Sequence, residues 1–88
     1  MSQRDQPVVY TTTWCGYCRV LKRNLDAEGF GYTEVDIETT PGAAERVESV
    51  NRGNRTVPTV VFADGTAITN PAAKVVLTKQ AELVSTGS

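Results

Sequence analysis

The sequence predicts an α/β fold: a four-stranded mixed sheet flanked by three helices, in the order βαβα-ββα. Three observations carry that prediction. Short β-branched runs alternate with stretches whose apolar residues recur every three or four positions, the signatures of strands and helices. Asp64-Gly65 separates two late runs as a hairpin turn does. A chain of 88 residues, 40% hydrophobic and 22% charged, supports one globular core rather than two.

Pro7-Val8-Val9-Tyr10-Thr11-Thr12-Thr13 is β-branched and aromatic and bounded by proline, so it reads as the first strand. From Gly16 to about Glu28, Cys18, Leu21 and Leu25 mark one helical face, and Gly29 is placed to stop the helix. Tyr32 to Ile37 alternates as a second strand. Thr40-Pro41 reads as an N-cap followed by proline at the first helical position, with the helix running through Ala43, Ala44, Val47 and Val50 to Gly53. Pro58-Thr59-Val60-Val61-Phe62 is continuously apolar enough for a central strand, and Thr66 to Thr69 should return antiparallel to it. Asn70-Pro71 repeats the cap-then-proline pattern, and Ala73, Val76, Leu77 and Leu83 form the buried stripe of the last helix. The first β-α-β unit requires a right-handed crossover between parallel strands, and helices should cover both faces of the sheet. Residues 1–88 are expected to form one domain, with 1–6 and 85–88 as frayed tails.

The net charge of −1 and pI near 5.3 come without a dense Lys/Arg stripe, which argues against a nucleic-acid partner. Arg19-Val20-Leu21-Lys22-Arg23 reads as a solvated helix flank. The polar stretch from Met1 to Gln6 lacks the apolar core of a secretory signal. No run of about 18 apolar residues could span a membrane. A cytoplasmic protein is expected, with no membrane partner. Histidine is absent. That removes Ser–His and Cys–His nucleophile pairs, imidazole acid–base catalysis and mixed Cys/His zinc sites.

The chemistry then centres on Trp14-Cys15-Gly16-Tyr17-Cys18. Cys15 falls where the first strand gives way to the first helix. There, unpaired first-turn amides and the helix dipole favour a thiolate over a thiol of reference pKa about 8.5. Cys18, one turn later on the same face, can reach Cys15 and should be more buried. Cys15 is therefore the expected nucleophile and Cys18 the resolving thiol. A structural disulfide is a poor alternative, because so short a loop gains little entropy and the cytoplasm opposes it. Zinc needs four ligands and each chain offers two soft ones, although a metal or iron–sulfur cluster shared between chains stays open. Trp14 reads either as a wall beside the thiol or as a partly buried strand-end aromatic. Tyr17 should be exposed and face substrate.

Cys15-Gly16-Tyr17-Cys18 after a first strand, Thr56-Val57-Pro58 before the third, and the Asp64-Gly65 hairpin together resemble the thioredoxin-fold glutaredoxin family, over residues 7–84. Among its branches the chain looks most like the mycoredoxins, which work with mycothiol in place of glutathione. The resemblance implies that Pro58 is a cis-proline facing the cysteine pair and that Val57 offers its backbone to an incoming disulfide. It implies a cosubstrate site around Trp14, Tyr17, Thr56, Val57 and Pro58, with Arg55, Thr69 and Asn70 as further contacts. No tightly bound cofactor and no metal are expected. The chain should act as a monomer on S-thiolated protein clients, with mycothiol or another low-molecular-weight thiol as cosubstrate. Glutathione-binding glutaredoxins carry proline at the position of Gly16, lysine at that of Thr12 and a Gly-Gly pair at Thr69-Asn70, so the chain departs from them at each. Thioredoxins carry a buried aspartate where Val9 stands and proline where Tyr17 stands. A dithiol electron donor to ribonucleotide reductase is the nearest competing reading, although that subgroup's Trp-Ser-Gly-Phe-Arg-Pro stretch is missing. A cluster-carrying module is the reading from a different class.

Overall fold

A computed structural model describes residues 6–87; the expected fraying of residues 1–5 and 88 lies outside the described residues. The elements are β1 (Val8–Thr11), α1 (Gly16–Ala27), β2 (Thr33–Asp36), α2 (Ala43–Val50), β3 (Thr59–Val61), β4 (Ala67–Thr69) and α3 (Ala73–Gly87). The sheet order is β2-β1-β3-β4. β1 runs parallel to β2 and antiparallel to β3, which in turn pairs antiparallel with β4. The predicted class, element order and mixed sheet are all observed.

Strand pairing sets the core. Val9 pairs with Val60, and both join Leu21 and Leu25 of α1, Phe62, and Val76 of α3 in one buried cluster. Ala73, Leu77 and Leu83 pack against it, as the predicted stripe on α3 requires. Thr59 and Val61 point to the opposite sheet face and are buried there too. Asn51, which caps the C-terminus of α2, donates its side-chain amide to Thr59 Oγ1 at 2.8 Å, so α2 covers that second face. All of β3 is therefore buried, as its unbroken apolar run predicts.

α1 ends where Gly29 was expected to stop it, in a Schellman motif. Gly29 has φ 67°, its N–H reaches Asp26 O at 3.0 Å, and Phe30 N–H reaches Leu25 O at 3.0 Å. Phe30 then packs against the core beside that turn. The Asp64-Gly65 hairpin closes as a three-residue loop, with Gly65 N–H on Phe62 O at 2.9 Å and Phe62 N–H on Thr66 O at 2.8 Å.

Two helix starts differ from the prediction. α2 begins at Ala43, not at Pro41, because Gly42 adopts φ 82° and breaks the helical path. Thr40 is therefore no cap. Its N–H donates to Asp36 O at 3.0 Å, while Asp36 Oδ1 accepts Glu38 N–H at 2.8 Å, so residues 36–42 fold as turns. α3 begins at Ala73 because Asn70 sits at φ 49°, outside the extended region that an N-cap needs, and sends its N–H to Pro58 O at 2.7 Å. α2 also stops at Val50 rather than Gly53, since Arg52 turns left-handed at φ 57°. Ser85 to Gly87, expected as tail, continue the α3 backbone, because a helical ladder needs no burial to extend by most of a turn.

Candidate active site

Cys15 is the N-cap of α1, with the extended backbone (φ −85°, ψ 114°) that a cap requires. Its Sγ accepts the Cys18 N–H at 3.2 Å, which satisfies one of the first-turn amides that a helix leaves open. From the other side the Cys15 thiol donates to Val57 O at 3.7 Å. The Val57–Pro58 peptide is cis and Pro58 is fully buried. The resemblance implied this juxtaposition of Cys15 with the Thr56-Val57-Pro58 segment; spacing alone could not show it.

Both cysteines are free thiols. Cys18 is completely buried on the face it shares with Leu21 and Leu25, whereas Cys15 retains 6% exposure. The order of exposure is the expected one, with Cys15 more covered than its place at a helix start suggests, because the 57–58 peptide lies across it.

Burial pushes the Cys18 thiol up to about 12, and the hydrogen bond with Cys15 adds to that, against weaker opposition from the Thr12 backbone and the Lys22 charge. Cys18 thus holds its proton at neutral pH. An unfolded chain gives up that proton near the ordinary value of 9.0. The Cys18 contribution to stability is therefore complete below about pH 9 and is lost as pH rises toward 12. Tyr32, raised to about 12 by burial and by its bond to Asp26, acts in the same direction. Denaturation midpoints measured from pH 7 to 11 should fall, and Cys18→Ala should flatten the fall relative to its own neutral value. An equal slope in both proteins would remove Cys18 from this account.

The other predicted residues are divided among three depressions. Trp14, Arg55 and Val57 line a cavity of about 480 Å³ together with Thr12, Ile37 and Glu38. Trp14 is 68% exposed, so it is not the partly buried strand-end aromatic of its second reading. Arg55 reaches this cavity, but its guanidinium is held by the Glu48 carboxylate. Thr56 and Thr69 line a second depression of about 280 Å³ on the Asn51 side, where Thr69 Oγ1 donates to Asn51 Oδ1 at 2.7 Å. Tyr17, 71% exposed, shares a third with Asn70, between α1 and the start of α3. Lys22, in the basic flank, is paired with Glu34 at 2.7 Å. Among the described residues, no group of three or more His, Cys, Asp or Glu could hold a metal ion.

Sequence reasoning missed three residues. Glu38 accepts the Trp14 indole N–H at 3.1 and 3.2 Å through its two oxygens. Asn51 and Thr59 brace the active-site peptide: Thr59 Oγ1 donates to Thr56 O at 2.7 Å while accepting from Asn51. Glu38 meets its partner from a distant segment, and the Asn51–Thr59–Thr56 bonds run through a turn that no periodic pattern marks.

The glutaredoxin family's profile matches residues 8–68. A Mycobacterium tuberculosis protein provisionally named a glutaredoxin is 61% identical over 71 residues, covering 81% of this chain and 84% of its own. Mycoredoxin 1 of Corynebacterium glutamicum is 49% identical over 71 residues, covering 81% of this chain and 87% of its own. The crystal structure of the holo form of glutaredoxin C1 from Populus tremula x tremuloides superposes with a TM-score of 0.62 at 26% identity, covering 91% of this chain and 78% of that one. With the helix-capping cysteine, the buried second thiol and the cis Val57–Pro58 peptide in place, these likenesses assign the chain to the glutaredoxin family of thiol–disulfide oxidoreductases.

Proposed function

We propose that this protein reduces protein–S–S–mycothiol mixed disulfides. The Cys15 thiolate attacks the mycothiol sulfur. A bond forms between Cys15 and that sulfur, the protein–sulfur bond breaks, and the client departs as a thiolate that takes up a proton. A second mycothiol thiolate then attacks the loaded sulfur, releasing Cys15 and leaving mycothiol disulfide. Alternatively, Cys18 displaces mycothiol and forms a Cys15–Cys18 disulfide, which an external dithiol reduces. Each step exchanges one disulfide for another: the first route consumes one free mycothiol, which ends with the client's mycothiol in mycothiol disulfide, and in the second the external dithiol supplies both electrons.

One observation carries this reading: Cys15 Sγ caps a helix, accepting an amide N–H at 3.2 Å, beside the backbone carbonyl of Val57. The amide stabilises negative charge on sulfur, and the exposed Trp14 and Tyr17 flank the segment for partner contact. Trp14, Tyr17, Thr56, Val57 and Pro58 form the cosubstrate surface in this reading, with Arg55, Thr69 and Asn70 at its edge. The 49% identity to a mycoredoxin supports mycothiol as the thiol. The protein acts as a one-domain monomer in the cytoplasm with no tightly bound cofactor; no helix among the described residues is long and apolar enough to cross a membrane.

Turnover on matched mixed disulfides of mycothiol and of glutathione, each coupled to its own reductase, tests the assignment. Faster turnover with mycothiol, by about tenfold or more, is expected. Equal or faster turnover with glutathione would refute the choice of thiol.

A further inference from the structure

The cavity of about 480 Å³ beside Trp14 has an uneven charge that disulfide exchange as such does not require. Two of its lining side chains carry charge, Glu38 and Arg55. Arg55 is engaged with Glu48, and the further pull of Glu45 on the same guanidinium shows that it lies in an acidic neighbourhood. Among the described residues, no salt bridge reaches Glu38. Its described side-chain partner is the uncharged indole of Trp14, held by both oxygens. Asp36, whose carboxylate accepts the Glu38 N–H at 2.8 Å, adds a second negative charge next door.

Val57, whose carbonyl accepts from the Cys15 thiol at 3.7 Å, also lines this space, so a small thiol attached to Cys15 and following the Val57 backbone would enter it. If it carries a carboxylate, that group would meet Glu38 while Arg55, the cation among the lining residues, is already engaged by Glu48, and like charges a few ångströms apart repel. If it carries hydroxyls, the Glu38 oxygens accept from them, while the exposed Trp14 ring offers an apolar face to a sugar's C–H groups. The Thr12 hydroxyl, buried in the wall without a protein partner, leaves a further polar group there.

We propose that Glu38 is a specificity-determining residue: beside Trp14, its carboxylate admits uncharged, hydroxyl-rich thiols to Cys15 and turns away thiols bearing a carboxylate. The inference rests on the reading of Cys15 as the attacking thiol and deepens it from a preferred cosubstrate to the side chain that selects it.

The test uses the full chain and one client peptide linked by disulfide either to 1-thioglycerol, which is neutral, or to 3-mercaptopropionate, which is anionic. Single-turnover release of the peptide thiol is measured for each and normalised to attack by dithiothreitol, which removes intrinsic reactivity. The wild type should prefer the neutral disulfide roughly three- to tenfold at low salt, and added salt should shrink the preference. Glu38→Gln keeps an acceptor for the Trp14 indole but loses the charge, so the ratio should fall to about one. Glu38→Lys should reverse it. If both substitutions leave the ratio unchanged while both disulfides are still reduced, the proposal for Glu38 is overturned and the oxidoreductase reading stands. If the wild type releases no peptide from either disulfide, the reading of Cys15 itself falls, and this inference with it.

Discussion

Cys15→Ser should lower mixed-disulfide turnover by a factor on the order of a thousand or more, to the level of uncatalysed exchange. The loss is chemical rather than structural. A serine hydroxyl is a better N-cap acceptor than a thiol, so the Cys18 amide keeps its partner and α1 its start. What disappears is the sulfur nucleophile itself. The contrast is Cys18→Ser. There the hydroxyl enters a fully buried position and should cost about 1–3 kcal/mol of stability, yet reduction of the mixed disulfide persists because a second small thiol can unload Cys15. Steady-state rates of the two variants, with circular dichroism to check folding, decide the matter. If folded Cys18→Ser were as inactive as Cys15→Ser, the chain would work strictly through a dithiol, as an electron donor to client enzymes does.

Leu25→Ala should destabilise the protein by about 2–5 kcal/mol, the range for emptying a buried leucine site. Leu25 has no exposed surface and sits with Val9, Leu21, Val60, Phe62 and Val76 where α1 meets the sheet. Domains of this kind are stable by only about 5–15 kcal/mol in total, so a single cavity removes a large fraction. Val75→Ala on α3 is the control. Val75 is 46% exposed, and its truncation should shift stability by less than about 0.5 kcal/mol. Urea midpoints with unchanged slopes measure both. Similar losses at the two positions would mean that the core is not where the packing places it.

The order of strands and helices could be read from the sequence because period and turn chemistry are local properties. Leu21 and Leu25 lie four apart on one face in any context, and Gly29 ends α1 through bonds within five residues. The starts of α2 and α3 could not be read the same way. Thr40-Pro41 and Asn70-Pro71 look alike whether the proline opens a helix or lies in a preceding turn. Gly42 at φ 82° decided the first case, and the Asn70 N–H bond to Pro58 decided the second, through a residue far back along the chain. The active site divides along the same line. The cysteine pair and its place at a helix start are local and were visible. The attachment of Glu38 to Trp14 exists only once the fold has brought distant segments together, whereas the bonds from Asn51 to Thr59 and from Thr59 to Thr56 run through a nearby turn that no periodicity marks.

The bond from the Cys18 amide to Cys15 sulfur gives one atom two duties. A sulfur already joined to another sulfur is a poorer acceptor for that amide than a thiolate, so a small thiol carried on Cys15 should loosen the opening turn of the first helix. Departure of the small thiol tightens it again. The first turn of that helix should therefore be most ordered when the sulfur is free.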